Sequence, residues 1–417
     1  MITAPIAAFD VAKHSSKLCV LSPANDKVMD GVDIKHTDDG FEKLSHLLTK
    51  VERTFGVRPV CVVESTGHYH KRLFEYLTEK GYEVAVVNPL QSKSLQDINI
   101  RGAKTDRLDA YRLALLHRLN VTKVGKVPDD AVLELRTLTR EYFSMSDTLA
   151  QYKNRARAAI DLLFPRFDQV FPDKFSATAL ALLKAYPSTQ HLDKATDEEL
   201  VELICSTSRR SAEWARQKVL SLREVAREAP GIRFGRNGLL IALQSNLTII
   251  ETIQEQLAEI EKAIVEVAEP LEGYHHLMSM PGMGPVSAAT ILGEIGDVCW
   301  FKSARQLVAF CGVDPTVRQS GQFKGSRSRM SKRGSPLLRR VLYVIALASI
   351  RTKGNQDAVN PVLRRYYEDK VAAGKAKKVA LGAVMRKLVH YVYAVLRDGE
   401  PFKLRTPQQH IQAFKAA

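Results

Sequence analysis

Two stretches of this 417-residue chain carry an uninterrupted helical period too long for any single compact core. One runs from Ala131 to Leu163 and stops ahead of Pro165; the other runs from about Gly238 to Val267. At 1.5 Å per residue each is about 45–50 Å long, well beyond the breadth of an ordinary domain. The chain must therefore distribute its apolar residues over more than one core. In the second stretch Leu243, Leu247, Ile250, Ile253, Leu257, Ile260, Ile264 and Val267 follow one another by steps of three and four, with a single break between Ile250 and Ile253. Such a stripe is expected to form an intermolecular coiled-coil seam, the competing arrangement being a pairing with the first long helix inside the chain. Between the two stretches, residues 166–235 read as irregular helices broken at Pro172, Pro187 and Pro230–Gly231.

The first 120 residues have a different pattern. Ile6 to Val11 reads as a strand ending near Asp10, Lys17 to Leu21 and Val28 to Ile34 as antiparallel neighbours across the turn-rich Ser22–Asp26, and Val60 to Val63 as an apolar strand stopping at Glu64. Helices are expected at Phe41 to Val51, His68 to Lys80 and Lys104 to Leu119, with a strand at Glu83 to Val87. Three strands followed by alternating helices and strands suit a mixed α/β sheet with helices on its faces. The expected organisation is an α/β domain over 1–125, a helical coiled-coil region over 126–273, an all-α C-terminal domain over 274–400 and a tail over 401–417.

Charge is distributed unevenly. Residues 1–120 carry 17 Lys/Arg against 15 Asp/Glu, residues 121–300 carry 20 against 25, and residues 301–417 carry 24 against 6. Residues 301–353 alone hold 12 basic groups and the single acid Asp314, interleaved with Gly and Ser, which points to a polyphosphate partner. The longest apolar run, Val341 to Ile350, is far short of a bilayer crossing and no signal-peptide progression opens the chain, so a cytoplasmic protein without a membrane partner is expected. Cys19, Cys61, Cys205, Cys299 and Cys311 form no CxxC pair, which argues against structural zinc and for buried, reduced thiols.

Four carboxylates in the first domain stand out. Asp10 and Glu64 close predicted strands, and Asp106 and Asp109 lie one turn apart on a predicted helix. Brought together, so much negative charge requires cations, and an all-oxygen donor set favours Mg²⁺ or Mn²⁺. Two such ions suit phosphodiester chemistry. His68 and His70, just after Glu64, are expected to open a helix rather than to touch phosphate. Farther on, Pro281-Gly282-Met283-Gly284 between apolar helices has a helix-hairpin-helix pattern, in which Gly282 and Gly284 leave backbone N–H groups for a DNA phosphate. It is followed by Arg318-Gln319-Ser320-Gly321 and by Lys324, Arg327, Arg329, Lys332 and Arg333, candidate contacts to DNA or RNA.

The contexts of the acids (Phe9-Asp10-Val11-Ala12-Lys13, Val63-Glu64-Ser65-Thr66-Gly67, Lys104-Thr105-Asp106-Arg107-Leu108-Asp109-Ala110) resemble the RuvC-like, ribonuclease-H-fold domain of the DEDD transposases of insertion-sequence family 110. The stretch Pro281 to Arg340, with Arg318-Gln319-Ser320-Gly321 and Ser331-Lys332-Arg333-Gly334, is similar to the C-terminal domain of the same family. The resemblance implies a transposase acting on element ends and target DNA, with Asp10, Glu64, Asp106 and Asp109 as metal ligands and Ser320 as nucleophile. It also implies a structured bridging RNA as guide. A dimer or tetramer is expected, with a composite site fed by residues some 200 positions apart in the chain. The residues themselves leave two alternatives open: a junction-resolving nuclease that uses water, and a non-catalytic DNA-binding protein.

Overall fold

The computed structural model describes residues 4–64, 68–87, 106–119, 129–316, 319–320, 323–324, 329–352, 357–406 and 408–409, with backbone only at 106–107, 319–320 and 323–324. It divides into two compact units, residues 1–127 and 128–417.

The first unit is built on five strands, β1 (Ile6–Val11), β2 (Ser15–Leu21), β3 (Lys27–Lys35), β4 (Val60–Glu64) and β5 (Val84–Val87), in the order β3-β2-β1-β4-β5. β1, β2 and β3 form an antiparallel meander, whereas β1 pairs parallel with β4 and β4 with β5. The β2–β3 turn closes because Ser22 Oγ accepts from the Ala24 and Asp26 amides, with Asn25 at φ 75°. The parallel pairs need crossovers, supplied by α1 (Asp38–Phe55) and α2 (His70–Glu79). α1 is fixed at both ends: Thr37 caps the Gly40 amide and Gly56 turns out at φ 70°.

Period-two alternation splits β1 between two cores. Ala7, Phe9 and Val11 pack beneath Phe41, Leu44, Leu48, Leu73 and Leu77 of α1 and α2. Ile6 and Ala8 face the other way, against Ala110, Leu113 and Ala114 of α3 (Asp106–Arg118). With both faces covered, the central strands read as continuous apolar runs rather than alternating ones.

The second unit is mostly helical and holds two cores joined by a helix pair. α4 (Asp130–Leu163) and α10 (Arg236–Ala268) run antiparallel, since Leu135 shares one core with Ile264 and Ala268 while Ala156, Ile160 and Leu163 share the other with Leu243, Leu247 and Ile250. This corrects the expected intermolecular seam. Over Leu243, Leu247, Ile250 and Ile264 the stripe packs within the chain, where a partner helix tethered by a folded segment is always present at high effective concentration. The second of these cores is completed by α5 (Phe167–Val170), α6 (Ala177–Ala185), α7 (Thr189–Leu192), α8 (Asp197–Thr207) and α9 (Ala212–Glu228).

The first core gathers α11 (Glu272–Met278), α12 (Pro285–Ile295), α13 (Ala304–Cys311), α14 (Pro336–Ile350), α15 (Pro361–Ala372) and α16 (Lys377–Asp398). The expectation of an all-α region fails here, because β6 (Gln319–Ser320) pairs antiparallel with β7 (Phe323–Lys324). Strands of two residues in a Gly-, Ser- and Arg-rich segment leave no alternation to read. Among the described residues α16 is the one helix long and apolar enough to cross a bilayer, and its Val384, Leu388, Val389 and Val392 lie buried in this core.

Candidate functional site

The sheet places two of the four acids side by side. Asp10 lies on the face of β1 that carries Ile6 and Ala8, and Glu64 on the face of β4 that carries Val62, which packs in the same core. The parallel register ends at Phe9↔Val63, so Asp10 and Glu64 are the next residues along, at the carboxyl ends of neighbouring strands. Carboxyl ends of parallel strands are where open α/β sheets bind ligands. α3 covers this face and begins at Asp106; Asp109 follows one turn later, beside the buried Ala110. Asp109 is largely shielded and accepts from Arg112 Nη1 at 2.7 Å. Arg112, three residues on, was not singled out from sequence, although i,i+3 spacing marks it as the natural counterion.

The donor chemistry of Asp10, Glu64 and Asp109 fits hard divalent ions. Among the described residues no three acidic, His or Cys side chains are gathered closely enough to hold an ion, and the Asp106 side chain lies outside those residues. His70 is the first residue of α2 and His68 stands just ahead of it. The contexts Ser65–Gly67 and Lys104–Thr105 also lie outside the described residues.

Ser320 ends β6, opposite Phe323, within an arm that spans residues 312–334 of the chain. The base of the arm is laced across the chain. Lys332 N donates to Gly312 O at 3.1 Å, Ser331 N to Asp314 O at 2.8 Å and Thr316 N to Arg329 O at 2.7 Å. Pro315 bridges Met330, and Ser331 Oγ donates to the Asp314 carboxylate. Arg329, Lys332 and Arg333 are exposed on this base, Lys332 with φ 55°. Arg318 and Arg327 lie outside the described residues, and Lys324 is placed in β7 by its backbone.

The arm leaves the helical core through two close backbone approaches. A Cβ on Gly334 would lie 1.9 Å from Phe310 O, and one on Gly312 (φ 65°) would lie 2.6 Å from Gly334 N. Behind them stands Glu294, nearly buried on α12, accepting from Arg140 Nε at 2.7 Å and from Ser335 Oγ at 3.0 Å. Ser335 also caps the Leu338 amide, so one carboxylate links α4 to the start of α14. Arg136 Nε adds a bond to Gly293 O at 2.7 Å. Burial pulls the Arg136 guanidinium below its ordinary pKa, with Glu294 opposing the shift. Sequence reading passed over Glu294, since nothing local distinguishes it from a surface acid.

The two glycines of the α11–α12 turn have different roles. Gly282 (φ 91°) is held by packing, because a Cβ there would meet Ser349 Oγ at 2.7 Å. Gly284 has open space around it at the N-cap of α12, where Pro285 removes the first N–H. Three of the five thiols are buried and Cys299 is exposed, against the expectation that all five are interior. Burial raises the Cys311 thiol to about 12.

Residues 7–165 match the DEDD-type IS110 transposase domain family, and residues 274–368 match the transposase IS116/IS110/IS902 family. The 43.6 kDa protein of insertion element IS110 from Streptomyces coelicolor is 27% identical over 404 residues, 95% of each chain. The 42 kDa protein of IS900 from Mycobacterium paratuberculosis is 28% identical over 308 residues, covering 71% of this chain and 72% of that one. The pilin gene-inverting protein of Moraxella bovis is 35% identical over 129 residues, 31% of this chain and 38% of its own. With one domain family matched over the sheet and the other over the serine arm, the chain belongs to the IS110/IS116 family of insertion-sequence transposases.

Proposed function

We propose that the protein is a transposase that cuts and rejoins DNA strands through a covalent serine intermediate, at element ends and at the target. The observation that carries this reading is the placement of Asp10 and Glu64 at adjacent parallel strand ends, on the face covered by the helix of Asp109. The strand order β3-β2-β1-β4-β5, with β2 antiparallel to β1, supports a RuvC-like, ribonuclease-H-type sheet.

Asp10, Glu64, Asp106 and Asp109 would hold Mg²⁺ or Mn²⁺, in all two ions. Such ions, when bound, withdraw charge from a scissile phosphate and stabilise attacking and leaving oxygens. Arg112 orients the Asp109 carboxylate through their ion pair. Ser320 Oγ attacks phosphorus, losing its proton as the O–P bond forms. The P–O bond to the neighbouring nucleotide breaks, and its oxygen leaves as a free hydroxyl. The phosphoserine link retains the energy of the phosphodiester, so reversal onto a new strand end completes the exchange. Arg318, Lys324, Arg327, Arg329, Lys332 and Arg333 offset the charge that develops on the phosphate.

The α11–α12 hairpin, through Gly282 and Gly284, supports a sequence-independent grip on backbone as a helix-hairpin-helix. A structured guide RNA would then supply sequence choice by base pairing. A dimer or tetramer working in the cytoplasm completes the reading. The exposed Phe234, Ile241 and Leu220 of the helical unit (93, 72 and 66% exposed) support self-association.

The test is a cleavage reaction on labelled element-end DNA with Mg²⁺, resolved under denaturing conditions. Wild type is expected to leave protein-linked DNA, and Ser320→Ala or Asp10→Ala to lower the adduct at least about 10³-fold. Strand exchange at the wild-type rate by Ser320→Ala would remove the serine from the mechanism. Free 5′-phosphate ends without an adduct would indicate a hydrolytic nuclease instead.

A further inference from the structure

Away from the arm, two groups of basic side chains flank α16, one shared with α15 and one with α13. Lys370 of α15 and Lys387 of α16 both point at the Tyr366 ring, their ammonium groups 5.3 and 4.3 Å from its centroid. One ring face attracts one ammonium well, but two on the same ring repel each other. On α16, Arg386 precedes Lys387, and His390 lies one turn beyond Arg386, close enough to feel both Arg386 and Arg305 of α13. Among the described residues no carboxylate forms an ion pair with Lys370, Lys387, Arg386 or Arg305. The neighbouring acids Glu368 and Asp398 are taken by Arg364 at 2.6 Å and Arg397 at 2.7 Å. Asp369, next to Lys370 on α15, forms no ion pair with it or with Lys387 among the described residues.

Burial and then Lys370 pull the Lys387 ammonium below its ordinary pKa, and burial, Arg386 and Arg305 do the same to His390. A fold gains nothing from gathering uncompensated cations on its own account. An anion placed among them would relieve both the repulsion and the desolvation.

The position of the cluster indicates which anion. The Cβ site of Gly382 is 3.5 Å from Met330 Cε, so α16 passes against the base of the serine arm at that residue. Gly382, Arg386 and His390 then succeed one another at four-residue steps along one face of α16, leading from the arm base toward Arg305. A cationic path beginning where the exposed Arg329, Lys332 and Arg333 leave off suits a long polyanion rather than an isolated ion.

We propose that the Lys370–Lys387 pair and the Arg386–Arg305 pair, on neighbouring sides of α16 and with His390 as a neutral N–H donor between the two arginines, form a second phosphate-binding track that grips the backbone of duplex DNA flanking the bond presented to the arm. The track rests on the strand-exchange reading above. It makes no sequence-specific contact, since ammonium and guanidinium groups on phosphate position a duplex without reading it.

Binding of full-length protein to a fluorescein-labelled random-sequence DNA duplex, measured across a salt series, tests the track. The double variant Lys370→Gln/Lys387→Gln is expected to flatten the slope of log affinity against log salt by about 1.8, roughly 0.9 for each phosphate left without its cation. Its thermal midpoint should be no lower than that of wild type, because two repelling cations have been removed. Lys370→Arg/Lys387→Arg should retain the wild-type slope. Wild-type binding with an unchanged slope in the Gln variant would overturn the track alone. So would a Gln variant that loses affinity for duplex RNA of the same sequence but keeps its affinity for DNA. A wild-type protein that does not bind duplex DNA at all would overturn both the track and the reading beneath it.

Discussion

The sheet and the serine arm are both β structures that carry proposed chemistry, yet they are held in opposite ways. Ile6, Ala7, Ala8 and Phe9 of β1 are fully buried, sealed by α1 and α2 on one face and by α3 on the other. Asp10 and Glu64 inherit their spacing from this packing, so their separation is fixed to within the tolerance of a core. The paired strands of the arm are only two residues each, and a hairpin of that size is marginal in water by itself. Its base is fixed by the cross-strand bonds between residues 312–316 and 329–332 and by the backbone contact of Gly334 on Phe310. Groups proposed to share ions would need a constant mutual distance, whereas a serine proposed to reach a phosphate would need only a fixed point of departure. Placing the two on differently built supports meets both needs.

The largest effect that would break this contrast is at Gly334. Its Cβ position is blocked by Phe310 O and by Gly312 N at 2.5 Å, both backbone atoms that cannot swing aside. Gly334→Ala is expected to cost about 3 kcal/mol and to abolish the DNA adduct. Both tryptophans of the chain, Trp214 and Trp300, belong to the helical unit, so fluorescence-detected urea unfolding reports that unit alone. A wild-type midpoint and adduct yield in this variant would show that the arm is oriented by something other than its base.

A smaller and sharper effect is expected at Glu294. Its carboxylate is nearly buried, but its partner Arg140 is 61% exposed, so water screens much of the pair and the net worth is discounted accordingly. Glu294→Gln keeps the shape and one acceptor for Ser335, and is expected to cost about 1–2 kcal/mol. Adduct formation should slow several-fold while its Mg²⁺ dependence stays where it was, because the defect lies behind the arm. A shifted Mg²⁺ midpoint would place Glu294 in the ion chemistry instead.

The same contrast explains what the sequence disclosed. Continuous apolar runs mark β1 and β4, and they put Asp10 and Glu64 at strand ends, because a strand covered on both faces is apolar until it leaves the core. Which strands are neighbours, and in what register, is a tertiary property that no window contains. The apolar stripe of α10 was legible as buried, but a stripe does not record whether its partner belongs to the same chain. The arm left no strand signal because its backbone pairing depends on a few base contacts rather than on side-chain alternation. Glu294 and Gly334 were invisible for a related reason: their constraint comes from residues up to 154 positions away. The start of α1 was within reach, since Thr37-Asp38-Asp39 is a capping and dipole signal that the apolar period alone misses.

The smallest expected effect concerns pH and separates the units by their histidines. In the sheet unit, burial lowers the pKa of His36, with Arg72 and His14 adding to the shift and the Lys13 backbone opposing it; burial and then Arg118 lower that of His117. A histidine whose folded pKa lies below its unfolded value near 6.5 binds fewer protons in the native state. Its contribution to stability is complete above about pH 6.5 and is lost as pH falls toward the folded value. His191 and His390 are depressed by burial in the helical unit as well, so both transitions should move to lower urea on going from about pH 7 to pH 5. His36 Nε2 lies 2.7 Å from Ser16 Oγ, a contact that a glutamine amide can replace. His36→Gln should therefore flatten the pH dependence of the fluorescence-silent transition, followed by circular dichroism, and leave the tryptophan-reported one unchanged. If both transitions flatten together, the two units do not unfold independently, and the separate anchoring of carboxylates and serine loses its thermodynamic basis.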